Sequence, residues 1–525
     1  MNMKQSIVLA ATLTLSVSVK AQSLENGVKM YQYERYQSAI NELAPIAATN
    51  PMANYYLGLA ELALDSTAAA KTTFSKYPDN EANMAGLARV AFLTNNTPEG
   101  NRLTSVLASK AKKKDWEPLK YAADAITYTK GGGIQQAIDW YKEALKRNDN
   151  TPTHIALGDA YQQIQGGGGE AMNNYEKVTA KEPQNSLAFS RIGALWYAAK
   201  NYELALENYQ KAKDADPSNP LPYRDLANAY FWTGKYDLAK QNIEKYLELS
   251  DKSTEDLINY SNILYLSKDY PKAIKTVQDV LNSGVKKPGL YGILGFSQLE
   301  TGDTVNALKN VRTYFTTQDP AKITSFDMIQ FAKIMAANGL ADSANYYYNL
   351  AVSKDTAKDK SETYRQIAEA FKTAKDYEKS AEWYDRLVKE NPEAQALDYF
   401  WRGAMYYYSK QYDKAATAFQ DMETKYPDQP SATYWRGRVA AAKDEEAKTC
   451  EASPFYESWL TKVGPEYDKK SDLMYAYQYL ALCAYNKTDK PTMQKYMDKI
   501  EQIDPNNAFL KQLKEAAKTP SKGTK

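Results

Sequence analysis

At 525 residues the chain is too long for one ordinary compact core, which leaves several domains or a quasi-linear repeat array. Hydrophobic residues at 43% and charged residues at 25% exclude a disordered chain, and tyrosine, with 43 copies, is far over-represented. Lysine and arginine number 66 against 64 aspartate and glutamate, so no net field draws the protein to nucleic acid or to an anionic membrane.

In chain order the first feature is a leader. Lys4 supplies a basic start, Ile7 to Val19 an apolar stretch, and Val19-Lys20-Ala21 a small-residue cleavage site, so residues 1–21 are predicted to be a signal peptide and Gln22 the first mature residue. The apolar stretch is shorter than the roughly 18 residues a membrane span needs. No later segment is apolar enough to cross a membrane, and no cysteine follows the leader to accept a lipid. The expectation is a soluble, exported protein, in the periplasm, at the outer membrane or secreted.

The rest of the chain is periodic. Ala205, Ala239, Ala273 and Ala307 recur every 34 residues, as do Tyr202, Tyr236 and Tyr270, then Pro183 and Pro217, then Gly403 and Gly437. Between these marks apolar residues recur every three to four positions in two blocks, the pattern of two amphipathic helices per unit. The clearest unit is SLAFSRIGALWYAAKNYELALENYQKAKDADP, Ser186 to Pro217. Its helix A runs to about Ala199, Lys200 and Asn201 form the turn, and helix B stops before Pro217. Gly193 and Ala205 stand where the helices must approach closely, and Trp196, Tyr202 and Tyr209 fill the space around them.

This succession of a small residue, an aromatic, an alanine, an aromatic and a closing proline resembles the tetratricopeptide repeat. The resemblance recurs from Gly27-Met30-Tyr36-Ala39-Pro51 to Ala481 and Pro505, fourteen units that account for 476 of the 504 residues after the leader. It implies an all-α, right-handed α-solenoid of stacked helix pairs, with no room in this sequence for an appended catalytic domain. The expected division is 22–114 for N-terminal units, 115–317 for a central array, 318–505 for a C-terminal array, 506–518 for a capping helix and 519–525 for a disordered tail.

Three departures from the pattern are visible. The unit around Gly86 carries Pro98 and Gly100 where helix B should have its alanine, so a bend or break is expected near residues 94–101. The alanine spacing slips to 37 between Ala307 and Ala344, with Thr316 to Pro320 as the extra linker. The unit after Gly437 has an enlarged turn, Asp444 to Pro454.

Candidate chemistry is sparse. His154 is the single histidine, which rules out a histidine triad or a histidine-based metal site, and neither Cys450 nor Cys483 has a CxxC partner. In an exported protein these two cysteines are a candidate disulfide, the alternative being two buried thiols. The glycine runs 131–133 and 166–169 both fall between helix A and helix B and lack a following Lys-Ser or Lys-Thr, so they are lengthened turns rather than phosphate loops. Neither a cofactor nor a metal is expected.

The resemblance also implies a ligand groove lined by the A helices, where members of this family bind extended peptides. By position the groove would include Arg224, Asn228, Phe231 and Trp232 in one unit, and Asn259, Asn262 and Tyr265 in the next. Some members clamp a C-terminal carboxylate with a basic residue and two asparagines, and Arg224, Asn228 and Asn259 match those positions. The third unit has Gly289 and Ile293 where two further basic residues should stand, so an asparagine ladder on a peptide backbone fits better. In YFWRGAMYYYSKQYDKAATAF, Tyr399 to Phe419, the residues Gly403, Tyr406, Tyr412, Ala415 and Phe419 take packing positions. Trp401, Arg402, Tyr407 and Tyr408, with Trp435 and Arg436 one unit on, are left as a surface cluster, each arginine set for a cation–π contact or a carboxylate pair.

Two functional classes follow. The first is a non-catalytic scaffold that binds a protein or peptide partner in the bacterial envelope. The second is an outer-membrane glycan-binding protein of the starch-utilisation type, which this chain resembles in length, helical repeats and aromatics. Such proteins usually carry a lipid-anchoring cysteine after the leader and long insertions between repeats, and this chain has neither.

Overall fold

The computed structural model describes residues 23–129 and 131–518. The leader at 1–21 and the tail at 519–525 lie outside these residues. Every regular element described is helical: 29 α-helices and one short 3₁₀ turn. They form fourteen A–B pairs and a final single helix, and they divide between Lys286 and Lys287 into two compact units.

Unit 1 holds repeats 1 to 8. Their helices are Leu24–Gln32 with Tyr36–Leu43, Pro51–Ala63 with Thr67–Phe74, Glu81–Leu93 with Thr97–Lys110, and Glu117–Thr127 with Ile134–Arg147. The next four pairs are Thr151–Tyr161 with Gly168–Lys181, Ser186–Ala198 with Tyr202–Ala215, Leu221–Trp232 with Tyr236–Leu249, and Thr254–Leu266 with Tyr270–Asn282.

Unit 2 holds repeats 9 to 14, beginning with Pro288–Glu300 and Thr304–Thr317. The 3₁₀ turn Pro320–Lys322 follows at the 37-residue slip, then Ser325–Ala337 with Ala341–Lys354 and Ser361–Thr373 with Tyr377–Glu390. The last pairs are Ala396–Tyr408 with Tyr412–Lys425, Pro430–Lys443 with Ser453–Val463, and Lys470–Asn486 with Lys490–Ile503, and Ala508–Ala516 ends the array.

The period has a steric origin. The fourth residue of helix B is a wholly buried alanine in repeats 1, 2, 4 to 9 and 12 (Ala39, Ala70, Ala137, Ala171, Ala205, Ala239, Ala273, Ala307 and Ala415). In repeats 2, 6 and 12 the eighth residue of helix A is a glycine that faces an aromatic from helix B at a distance that leaves no room for a methyl group. A Cβ on Gly58 would lie 2.4 Å from Phe74, on Gly193 2.6 Å from Tyr209, and on Gly403 2.7 Å from Phe419. Close packing of this kind makes each position intolerant of added volume.

The A–B turns are equally uniform. In eleven repeats the middle turn residue is left-handed, and the next N–H reaches back to the carbonyl five residues earlier, as Arg35 does to Met30 and Asn201 to Trp196. This is a Schellman closure that satisfies the last carbonyls of helix A. Only three of these turns use glycine, at Gly234, Gly302 and Gly339, while Glu34, Asp65 and Lys200 are among those that adopt positive φ without it.

Repeat 3 corrects the expectation of a break. Its two helices are regular, because Pro98 lies in the first turn of helix B, where its missing N–H has no intrahelical partner to lose. Gly100 takes the place of the alanine, and a Cβ there would lie 2.5 Å from Phe92. Repeat 11 uses another substitute, Ser380, whose buried hydroxyl donates to the Ala368 carbonyl at 2.8 Å.

Candidate functional site

In unit 1 the A helices carry a run of polar and aromatic groups in mutual contact. The Arg89 guanidinium lies over the Tyr128 ring, 5.1 Å from its centroid, and the Tyr128 hydroxyl donates to Asp159 at 3.1 Å. Asp159 also accepts from Arg191 Nε at 2.8 Å and from the Tyr175 hydroxyl at 2.7 Å. Asp124 is held by Lys120 Nζ at 2.6 Å and by the Tyr141 hydroxyl at 2.7 Å. Each of these carboxylates has a cation and a phenol as partners, which is how ionised groups withstand partial burial.

The run closes on the first repeat. Arg224 Nη1 donates to Glu34 Oε2 at 2.5 Å, across 190 residues of sequence. Around that pair the turn of repeat 1 is tied down twice more. Tyr33 donates to Asp216 and lies 3.1 Å from the Ser218 hydroxyl, while Asp251 accepts from the Ser38 N–H at 3.0 Å and the Ser38 hydroxyl at 2.6 Å. Arg35 Nε reaches the same aspartate at 3.4 Å. Asp225 sits in this cluster, and burial pushes its carboxyl up to about 6, against the pull of Arg224 and with a further push from Glu34.

The groove residues expected from sequence therefore separate into two sets. Arg224 is engaged by a carboxylate of its own chain and is not a free groove cation. Asn228 and Asn259 are brought together, with Asn259 Nδ2 donating to Asn228 Oδ1 at 3.3 Å, so the two repeats present one joined amide pair. Asn262 is part-buried and donates back to its own helix at the Ile258 carbonyl, 3.1 Å away. Phe231 packs edge-on against Trp232 and Tyr236, Tyr265 packs on Tyr270, and Trp232 is 64% exposed.

In unit 2 the expected surface cluster is graded: Arg402 is buried, Trp401, Tyr407, Trp435 and Arg436 are part-buried, and Tyr408 is exposed. Arg402 is only 8% exposed and lies against two carboxylates, Asp385 at 3.2 Å and Asp421 at 2.7 Å, which is why a guanidinium is tolerated there. Arg436 pairs with Glu423 at 2.6 Å and covers the Phe455 ring. Burial pushes Glu423 up, but hydrogen bonds from Thr433, Lys462 and Arg436 outweigh it and bring the carboxyl down to about 2. Trp435 stacks on Phe419 at 5.5 Å and touches Phe400, Tyr407 and Tyr408 edge-on. Trp401 lies under Lys372 Nζ, 3.8 Å from the ring centroid, and Tyr408 is the half-exposed member. The cation in the middle of these rings is Arg438, 4.0 Å from the Tyr475 centroid and 5.3 Å from that of Trp435.

Cys450 and Cys483 form a disulfide with Cα atoms 5.6 Å apart, tying the enlarged turn of repeat 13 to helix A of repeat 14. Asp444 organises that turn by accepting from the N–H groups of Lys448, Thr449 and Cys450. His154 is buried between Asn174 Oδ1 at 2.9 Å and Asp149 Oδ1 at 2.6 Å, a structural position. The run 131–133 lies in the A–B turn, with Gly132 and Gly133 left-handed, whereas of 166–169 only Gly166 and Gly167 precede helix B, which begins at Gly168. Among the described residues no group of three or more His, Cys, Asp or Glu is placed to hold a metal.

Sequence reasoning passed over Glu34, Arg89, Asp159, Arg191 and Arg438. A signal existed for Arg89 in MAGLARVAFL, Met84 to Leu93, an arginine in an apolar helix with no acidic residue three or four positions away. Glu34 had none, because a turn residue gives no sign of a partner 190 positions on.

The tetratricopeptide repeat family model matches residues 155–220 and 405–448. No curated protein matches the chain. Among solved structures, the C-terminal part of a TPR repeat-containing protein from Cytophaga hutchinsonii is 25% identical, covering 49% of this chain and 98% of that one with a TM-score of 0.41. A tetratricopeptide repeat protein from Parabacteroides merdae is 17% identical over 49% of this chain and 98% of its own, with a TM-score of 0.33. YrrB, described as a TPR protein with an unusual peptide-binding site, is 18% identical over 35% of this chain and 93% of its own, with a TM-score of 0.30.

Proposed function

Because the chain is built of tetratricopeptide repeats, we propose that it is a non-catalytic protein-interaction scaffold that takes an extended peptide segment on the A-helix face of repeats 7 and 8. The observation that carries this reading is the joined amide pair Asn228 and Asn259, next to Asn262 and the exposed Trp232 ring. Amides donate and accept at once, as a peptide backbone does, so a row of them grips backbone without selecting side chains. An exposed indole adds apolar area at low entropic cost, the usual anchor of a protein interface.

The leader-like start and the Cys450–Cys483 bridge both fit an exported protein, and the proposed location is the bacterial periplasm or the outer membrane. No described helix is long and apolar enough to cross a membrane. For the glycan-binding alternative the exposed ring is Trp232, since Trp435 packs against other rings and Trp401 lies under Lys372.

A peptide array tests the reading. The full chain should bind a subset of overlapping peptides, and Asn228→Ala with Asn259→Ala should weaken them about tenfold while Trp401→Ala leaves them unchanged. A silent array, or binding indifferent to the asparagines, contradicts it.

A further inference from the structure

The sequence contains twelve arginines, and nine of them have a carboxylate within ion-pair distance. Of the other three, Arg312 is exposed and Arg438 is half-buried among rings. Arg89 differs from all of them. It is 7% exposed, and at that depth it has no ion-pair partner among the described residues and an Nε without a hydrogen-bond acceptor, a lack it shares with the less buried Arg438. The nearby Asp124 contributes its charge but makes no ion pair or hydrogen bond with Arg89, being held instead by Lys120 and Tyr141. A guanidinium taken out of water without an anion is costly, and the cost is recovered when an anion arrives.

The surroundings match one kind of anion. The A helices of repeats 1, 2 and 4 bring Tyr31, Tyr55, Tyr56 and Tyr128 near Arg89, with Tyr121 packed on Tyr55. The rings pack edge-on, Tyr31 to Tyr56 at 5.6 Å, Tyr55 to Tyr56 at 5.3 Å and Tyr55 to Tyr121 at 5.8 Å. The hydroxyls of Tyr55, Tyr56 and Tyr121 make no hydrogen bond among the described residues, while the Tyr31 oxygen accepts from the guanidinium. Burial pushes these phenols up, Tyr56 to about 12, so at neutral pH they are uncharged donors. A planar fork of N–H donors with phenolic O–H groups nearby suits a carboxylate, while the aromatic walls suit the apolar part that carries it.

We propose that Arg89 and its tyrosines form a carboxylate-binding site on the A-helix face of repeats 1 to 4, separate from the asparagine pair, for an acidic side chain or C-terminus of a bound protein segment. The site rests on the scaffold reading for the source of its ligand, but its chemistry can be tested without one.

The probe is benzoate, a carboxylate with a single ring, added to the full chain carrying [15N]arginine. The Arg89 Nε–Hε resonance, identified by its loss in Arg89→Lys, should shift saturably with benzoate and remain still with benzyl alcohol. The Arg191 resonance, whose Nε already donates to Asp159, should not move. Arg89→Gln should weaken benzoate about tenfold, the difference expected for one charge-assisted contact. If Arg89→Lys does not fold, Tyr128→Leu supplies the identification, since removing the ring over the guanidinium displaces that one signal. An Arg89 resonance that moves no more than that of Arg191, or equally with benzyl alcohol, overturns the proposal.

Matched peptides then separate the sources, one pair ending in a free acid or an amide, one carrying Glu or Gln internally. Benzoate binding with a silent peptide array would keep this site and remove the scaffold reading. Peptide binding indifferent to Arg89→Gln, with no benzoate response, would do the reverse.

Discussion

Closure of unit 1 onto its own first repeat makes a local prediction about stability. Asp251→Ala removes the acceptor for the Ser38 N–H and the Ser38 hydroxyl and the ion-pair partner of Arg35. Hydrogen bonds to a charged group contribute roughly 1.5–3 kcal/mol each when buried, and these are partly exposed, so their joint loss is put at about 2 kcal/mol. The cost should fall on opening of repeat 1 and not on the whole chain, because the A–B pair 24–43 packs on repeat 2 and is otherwise held only by Asp251 and by the Glu34 and Tyr33 contacts. A change of about 2 kcal/mol corresponds to roughly thirtyfold faster hydrogen exchange in that pair. Exchange followed by mass spectrometry on peptides covering 24–43 provides the assay, with peptides from 288–516 as the control. Unchanged exchange in repeat 1, or an equal rise throughout unit 1, would refute the idea that this contact holds the first repeat in place.

Four further expectations can be checked. Asp225→Asn should stabilise unit 1 at pH 7, because a carboxyl raised to about 6 opposes folding when ionised; the gain should vanish as pH falls below about 4, where the aspartate is protonated in both states, and a pH-independent difference would contradict it. Glu423→Gln should destabilise unit 2 at pH 7, and the difference should disappear as pH falls from about 4.5 to 2 in denaturant titrations, since a carboxyl lowered to about 2 stabilises only while ionised. Reducing Cys450–Cys483, which encloses a 33-residue separation, should lower the unfolding free energy of unit 2 by about 3–4 kcal/mol and leave unit 1 unchanged; exchange rates that rise equally in both units would argue otherwise. Gly193→Ala should cost about 1–2 kcal/mol in thermal denaturation, the displacement of Tyr209 outweighing the better helix propensity; a neutral or stabilising result would mean the ring shifts freely.

The repeat count and helix limits were legible because they rest on spacing. Ala205 and Gly193 are small for a reason that recurs every 34 residues, and the same reason places Tyr209. Pro98 and Gly100 misled because composition alone does not separate a proline that breaks a helix from one that begins it. Arg402 looked like a surface residue because Asp385 and Asp421, which make its burial tolerable, come from the neighbouring B helix and its own, outside the positions the pattern compares. The asparagines of repeats 7 and 8 were found by register, whereas Glu34 and Arg224 meet only once the array has turned back on itself. Periodicity describes contacts between neighbours and is blind to contacts that close a turn.

The central claim is that the A-helix face of repeats 7 and 8 meets a protein partner. The direct measurement is a photoreactive side chain placed at Asn262 and at Trp232 in the cell, with adducts identified by mass spectrometry. The account predicts one dominant protein adduct from both positions, lost when Asn228 and Asn259 are both changed to Ala, with little from a control position on the B-helix face such as Lys245. Adducts equal at Lys245, or none from Asn262 and Trp232 under conditions where other positions crosslink, would contradict it.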